Sequence, residues 1–153
     1  MNAVSTGRTD MGKDYLNSEG YPDPTAFEAI RNMEKRPYRP LVYICSPYAG
    51  DVETNVSNAR RYCRFAVDSG CIPIAPHLLY PQFMDDTNEK ERRLGLFFGN
   101  VLMDRCAEVW VFGERISMGM DAEIKRSRRK GYKLRWFTSD CREKSSPVSL
   151  EPA

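Results

Sequence analysis

Val-Trp-Val-Phe-Gly-Glu-Arg-Ile-Ser-Met-Gly-Met-Asp-Ala-Glu-Ile-Lys-Arg-Ser-Arg-Arg-Lys-Gly, residues 109–131, reads as a strand, a loop and a helix in that order. The apolar run Val109 to Phe112 suits a buried strand. A short loop holding Gly113, Ser117 and Gly119 follows, then a polar helix closed by Gly131. A strand that empties through such a loop into a helix is the ligand-binding unit of an open α/β sheet. There the first-turn N–H groups and the helix dipole face the space beyond the strand end. Ser117-x-Gly119 at the helix start could hold a phosphate or sugar hydroxyl, although a plain N-cap serine explains it equally well. Glu123 lies in the opening turns of the helix, where the dipole keeps a carboxylate ionised, as a nucleophile must be. Acidic residues are favoured in first turns for that same reason, so placement alone does not make Glu123 catalytic.

Outward from this stretch, the chain alternates strands and helices. Pro40 to Cys45 is a buried strand, and Ser46-Pro47-Tyr48-Ala49-Gly50 is the loop after it. From about Glu53 to Ser69, Val56, Ala59, Cys63, Ala66 and Val67 share one helical face, and Gly70 ends the helix. Cys71 to Ala75 is a strand whose internal Pro73 assigns it to the sheet edge. Pro76 to Asp86 is a proline-bounded loop whose Tyr80 and Phe83 could roof a ligand site and stack on a base. Asn88 and Glu91 have capping-box spacing for a helix with Leu94, Phe97, Phe98, Val101 and Leu102 on its apolar face. The strand at 108–112, the helix after it and a strand over Tyr132–Phe137 complete the order β-α-β-α-β-α-β. Parallel pairing with right-handed crossovers then gives a doubly wound α/β fold, flavodoxin- or Rossmann-like, in three layers with strand order 2-1-3-4. The switch point falls between the loops 46–50 and 113–119, which is where ligands bind in such sheets.

Three segments are expected. Residues 1–38 form a flexible arm with a short helix near 24–35, started by Asp23 as N-cap and Pro24 at the first helical position. Residues 39–138 form the domain, and residues 139–153, rich in Ser, Pro and charge, form a flexible tail. At 153 residues the chain holds one domain's worth of core. A net charge of +2 selects no polyanionic partner. The basic residues between Lys125 and Arg135 are spread over a helix and a strand without an aromatic platform, the pattern of a solvated face and not of a nucleic-acid site. No apolar run approaches the ~20 residues that span a bilayer, and no signal-peptide core opens the chain, so a cytoplasmic protein is expected. Five cysteines without a C-x-x-C pair, beside a single histidine, make no zinc set and read as reduced thiols. A thiol dyad of His77 with a cysteine lacks an elbow or orienting group. Walker and dinucleotide fingerprints are absent. Neither a metal nor a cofactor is expected.

Tyr43-Ile44-Cys45-Ser46-Pro47 is similar to the Tyr-Leu-Ala-Gly-Pro stretch that opens the nucleoside 2-deoxyribosyltransferase fold. Ser117-x-Gly119-x-x-x-Glu123 resembles the segment carrying that superfamily's nucleophile, a spacing shared by deoxynucleoside 5′-monophosphate N-glycosidases. Ser-Pro-Tyr-x-Gly at 46–50, Ala-Pro-His-Leu-Leu at 75–79, Glu-Val-Trp-Val-Phe-Gly at 108–113 and Gly-Met-x-Ala-Glu-Ile at 119–124 resemble a small uncharacterised domain family near those enzymes. That closer resemblance covers about residues 21–137. It implies that Glu123 attacks C1′ of a 2-deoxyribosyl group and that a second base or water then takes the sugar. It also implies substrate contacts from Ser46, Pro47, Tyr48, Gly50, His77, Gly113, Ser117, Gly119 and Met120. At the position where the relatives carry an acid, this chain has Asn100. Asp51, Asp85, Asp86 and Asp104 are the carboxyls that could replace it. The relatives build sites partly from a neighbouring subunit, which implies a homodimer or larger homo-oligomer. The alternative to an enzyme is a non-catalytic domain that senses a nucleoside- or nucleotide-like small molecule.

Overall fold

The computed structural model describes residues 18–21, 24–34 and 37–147. The cap expected at Asp23, most of the arm and the end of the tail lie outside them. The chain divides into two units, 1–38 and 39–153. In the first, α1 (Pro24–Glu34) carries solvent-exposed Ile30 and Met33.

In the second unit a five-stranded sheet has the order β2-β1-β3-β4-β5. Its strands are β1 (Leu41–Cys45), β2 (Ile72–Ile74), β3 (Glu108–Phe112), β4 (Lys133–Phe137) and β5 (Glu143–Lys144). The first four pair in parallel, with Cys45 opposite Val111 and Trp110 opposite Arg135. The expected doubly wound order 2-1-3-4 is therefore present, and β2 with Pro73 occupies an edge, where a missing N–H costs no ladder bond. β5 is an addition. It pairs antiparallel to β4 within a segment expected as tail. Two residues carry no readable period; they are held by tertiary partners, Arg135 gripping Glu143 at 2.9 and 2.8 Å and Lys144 Nζ donating to the Gly113 carbonyl at 3.0 Å.

The helices are α2 (Val52–Asp68), α3 (Pro76–Leu79), α4 (Glu89–Met103) and α5 (Met118–Lys130). Asp51 caps α2 by accepting from Thr54 N–H, Ser117 caps α5 by accepting from Met120 N–H at 3.2 Å, and Gly131 closes α5 at a left-handed φ of 71°. Asn88 caps α4, but Glu91 does not return the bond of a capping box; its carboxylate accepts from Asp85 N–H in the preceding loop. The Pro76–Asp86 segment, expected as loop, contains α3 and a 3₁₀ turn over Tyr80–Gln82. Pro76 at the first helical position, with φ already set, favours that turn of helix.

Alternation along the strands sends side chains to two faces. Val42, Ile44, Trp110, Phe112 and Phe137 pack with Tyr62 and Ala66 of α2. Tyr43, Cys45, Val109, Val111 and Trp136 pack with Met103 of α4 and with Met120 and Ile124 of α5. This second face holds the candidate site.

Candidate functional site

A cavity of about 840 Å³ opens at the C-terminal edge of β1 and β3. Its walls come from the two loops at the switch point (Tyr48–Gly50 and Ser117–Gly119), from α3 and the turn after it, and from facing residues of α4 and α5. Gly95, Gly99 and Asn100 line it from α4, at the spacing of one helical face; Ala122, Glu123 and Arg126 do so from α5.

Glu123 reaches the cavity from the second turn of α5, beyond the first turn where the dipole is strongest. Its surroundings are set by β1. The Tyr43 hydroxyl donates to Glu123 Oε1 at 2.7 Å, while Oε2 is buried without a hydrogen-bond partner. Burial pushes the Glu123 carboxyl above its ordinary range; the nearby Cys45 thiol and Tyr43 hydroxyl oppose that by favouring the charge. The expectation that the helix start keeps this carboxylate ionised thus meets an opposing effect, the desolvation that raises its pKa. Burial likewise raises both Tyr43 and Cys45, reinforced by the Glu123 charge. Gly99 makes room for the pair: a Cβ there would lie 3.4 Å from the Tyr43 hydroxyl and 3.7 Å from Pro76 Cγ.

His77 also lines the cavity, its ring stacked on Tyr48 with centroids 5.0 Å apart and planes 10° from parallel. Burial lowers the imidazole pKa, and the charge of Asp86 works against that shift. Tyr80 also lines the cavity, but Phe83 does not; it is exposed and meets Tyr80 edge-on at 5.9 Å.

Of the residues expected to touch substrate, the structure gathers Tyr48, Gly50, His77, Ser117 and Gly119 at the cavity with Glu123 and Asn100. Four others lie elsewhere. Ser46 is buried, and neither it nor Pro47 is part of the lining. Gly113 turns the chain at φ 100°, its N–H on the Phe137 carbonyl, and Met120 points into the core. Of the four alternative carboxyls only Asp86 reaches the cavity. Asp51 caps α2, Asp85 binds Thr87, and Asp104 takes a bidentate grip from Arg126 at 2.6 and 3.0 Å. Arg126 and then the Tyr132 hydroxyl hold Asp104 well below the usual carboxylate range. Among the described residues no cluster of three or more metal-ligating side chains is present.

Tyr43, Gly99, Arg92 and Arg126 line the cavity too, and the sequence reading did not place them there. The period of two puts Tyr43 on the same face as Cys45, but nothing local says that α5 covers that face.

Residues 40–137 match the model of a family described as Domain of unknown function (DUF7768). The chain belongs to that family. No curated protein is a significant match to this DUF7768 member. Among solved structures, it is similar to the 2-deoxyribosyltransferase from the psychrotolerant bacterium Bacillus psychrosaccharolyticus, over 72% of this chain and 77% of that one, with a TM-score of 0.54 and 16% identity. At that identity the likeness concerns fold: the DUF7768 domain shares the α/β architecture of a nucleoside deoxyribosyltransferase. No described helix is long and apolar enough to cross a membrane.

Proposed function

We propose that this cavity binds a 2′-deoxynucleoside or its 5′-monophosphate and that Glu123 attacks C1′, releasing the base and forming a glycosyl ester. A second base or water then takes the sugar, as in a deoxyribosyltransferase or an N-glycosidase. The observation that carries this reading is the buried Glu123 carboxylate, set in a cavity wall with one oxygen held by the Tyr43 hydroxyl and the Cys45 thiol nearby. The test is release of free base from the natural deoxynucleosides and their 5′-monophosphates, followed chromatographically. Glu123→Gln keeps shape but cannot form the ester, so turnover should fall by several orders of magnitude while binding persists. Unchanged turnover in that variant removes Glu123 from the chemistry.

The amide of Asn100 in the cavity wall favours a second reading, a non-catalytic domain that senses a nucleotide-like ligand. Asn100→Asp separates the two. Ligand binding without base release in both wild type and Asn100→Asp selects the sensor.

A second copy of the chain is the proposed cover for the outer face of α4, where Leu94, Phe97 and Val101 are 47%, 59% and 41% exposed at i, i+3 and i+7 spacing. Light scattering should show at least a dimer at micromolar concentration, and Phe97→Glu should shift it toward monomer. The five free thiols suit the reducing cytoplasm proposed as its compartment.

A further inference from the structure

Cleaving an N-glycosidic bond by a carboxylate nucleophile leaves the departing base needing a proton. The groups facing the cavity can be taken in turn. The Tyr43 hydroxyl is committed to Glu123. The Glu91 carboxylate is held by Asp85 N–H. Arg126 is locked onto Asp104, and guanidinium groups, Arg92 and Arg129 included, do not release protons in proteins. The Asn100 amide has no acidic proton. The Tyr48 ring is stacked on His77, and the Tyr80 ring packs against Phe83 and Phe98. Asp86 is exposed to solvent. One group combines enclosure with titration near neutrality: the imidazole of His77, clamped flat on Tyr48 at the cavity wall.

Resting on the reading of Glu123 above, we infer that His77 is the general acid and base of the site. As a Glu123 oxygen bonds to C1′, the C1′–N bond breaks and its electron pair stays on the base nitrogen. The imidazolium of His77 gives that nitrogen its proton. In the second half, neutral His77 takes the proton from the attacking water or incoming base as the ester bond to Glu123 breaks, which restores both groups. Burial that holds the imidazole pKa below its ordinary 6.5 makes the imidazolium a stronger acid, and the Asp86 charge opposes that shift without cancelling it. Glu123 must be ionised and His77 protonated in the first half. With the former pKa raised and the latter lowered, the two limbs of a pH–rate profile limited by that half should lie closer together than an ordinary carboxyl and imidazole would put them.

The experiment compares two leaving groups in wild type, His77→Gln and Glu123→Gln. A natural deoxynucleoside needs protonation of its base, whereas 4-nitrophenyl 2-deoxyriboside expels a phenolate that does not. His77→Gln should lose about 10²–10⁴-fold on the nucleoside. It should keep nearly wild-type release of 4-nitrophenolate in the first turnover, and its kcat/KM should lack the alkaline limb. Glu123→Gln should fail on both. Equal losses on both substrates, or no loss on either, would overturn the role of His77 while leaving the Glu123 reading intact. A wild type that cleaves neither substrate overturns both. If His77→Gln does not fold, the wild type still decides. His77 is the only histidine in the chain, so its imidazole NMR signal titrates alone. Saturation with the free base product should move that titration, and an unmoved midpoint overturns the inference.

Discussion

On the face of the sheet covered by α2, Tyr62 stacks on Phe112 at 4.2 Å, Phe112 on Phe137 at 4.9 Å, and Phe65 meets Phe137 edge-on at 5.4 Å. On the face covered by α4 and α5, the same strands pack Cys45, Val109 and Val111 with Met103, Met120 and Ile124, and a cavity of about 840 Å³ is bordered by Tyr43 and the buried Glu123 carboxylate. Alternate residues of β1 and β3 are thus buried in both layers, and only the second layer also borders a cavity. The face filled by aromatic rings gains burial and about 0.5–1.5 kcal/mol per ring pair beyond area. The candidate reactive groups lie on the other face.

That division can be broken from either side. The largest effect should come from Glu123→Gln, which removes turnover without unfolding the chain. Next is Phe112→Ala on the filled face. It should cost about 3–5 kcal/mol in denaturant unfolding, while surviving folded protein still binds ligand. If ligand binding were lost in proportion to the ring, the two faces would not be separable. Tyr43→Phe strips Glu123 Oε1 of its donor and should raise the carboxyl pKa further, moving the acid limb of any pH–rate profile to higher pH. An unshifted limb would mean that the hydroxyl does not support the charge.

The stability effect of Glu123 itself has a definite sign. A carboxyl whose folded pKa exceeds the ordinary 4.5 destabilises the folded state as pH rises through the interval between those two values. Glu123→Gln should therefore gain melting temperature over wild type at pH 7, with the gain shrinking as pH falls toward 4.5. A first-turn dipole role would instead make the variant less stable at pH 7, by ~0.3–1 kcal/mol. The smallest effect is expected from Gly99→Ala. The new methyl would sit 3.4 Å from the Tyr43 hydroxyl, so helix propensity of up to ~1 kcal/mol is set against crowding. Net stability should change little, and kcat should fall because the Tyr43–Glu123 bond is displaced.

Local patterns settled a good deal of this molecule. Apolar runs at 41–45 and 109–112, helical spacing between them and the turn residues Ser117, Gly70 and Gly131 are enough to order the elements, and right-handed crossover then orders the strands. Pro73 marks its own strand as an edge. Each of these rests on contacts within a few residues or on a rule of connection, so one chain suffices to read them. Tertiary structure alone decided which side chains meet. Tyr43 and Glu123 lie 80 positions apart and bond only because β1 sits beneath α5 with that helix turned to one particular face. The same holds for Gly99 passing over the Tyr43 hydroxyl, for β5 held by Arg135, and for Ser46 and Gly113, which lie in the right loops but do not line the cavity. Spacing fixes a residue's place along its own element; the rotation of one element against another is set by the packing of the whole core.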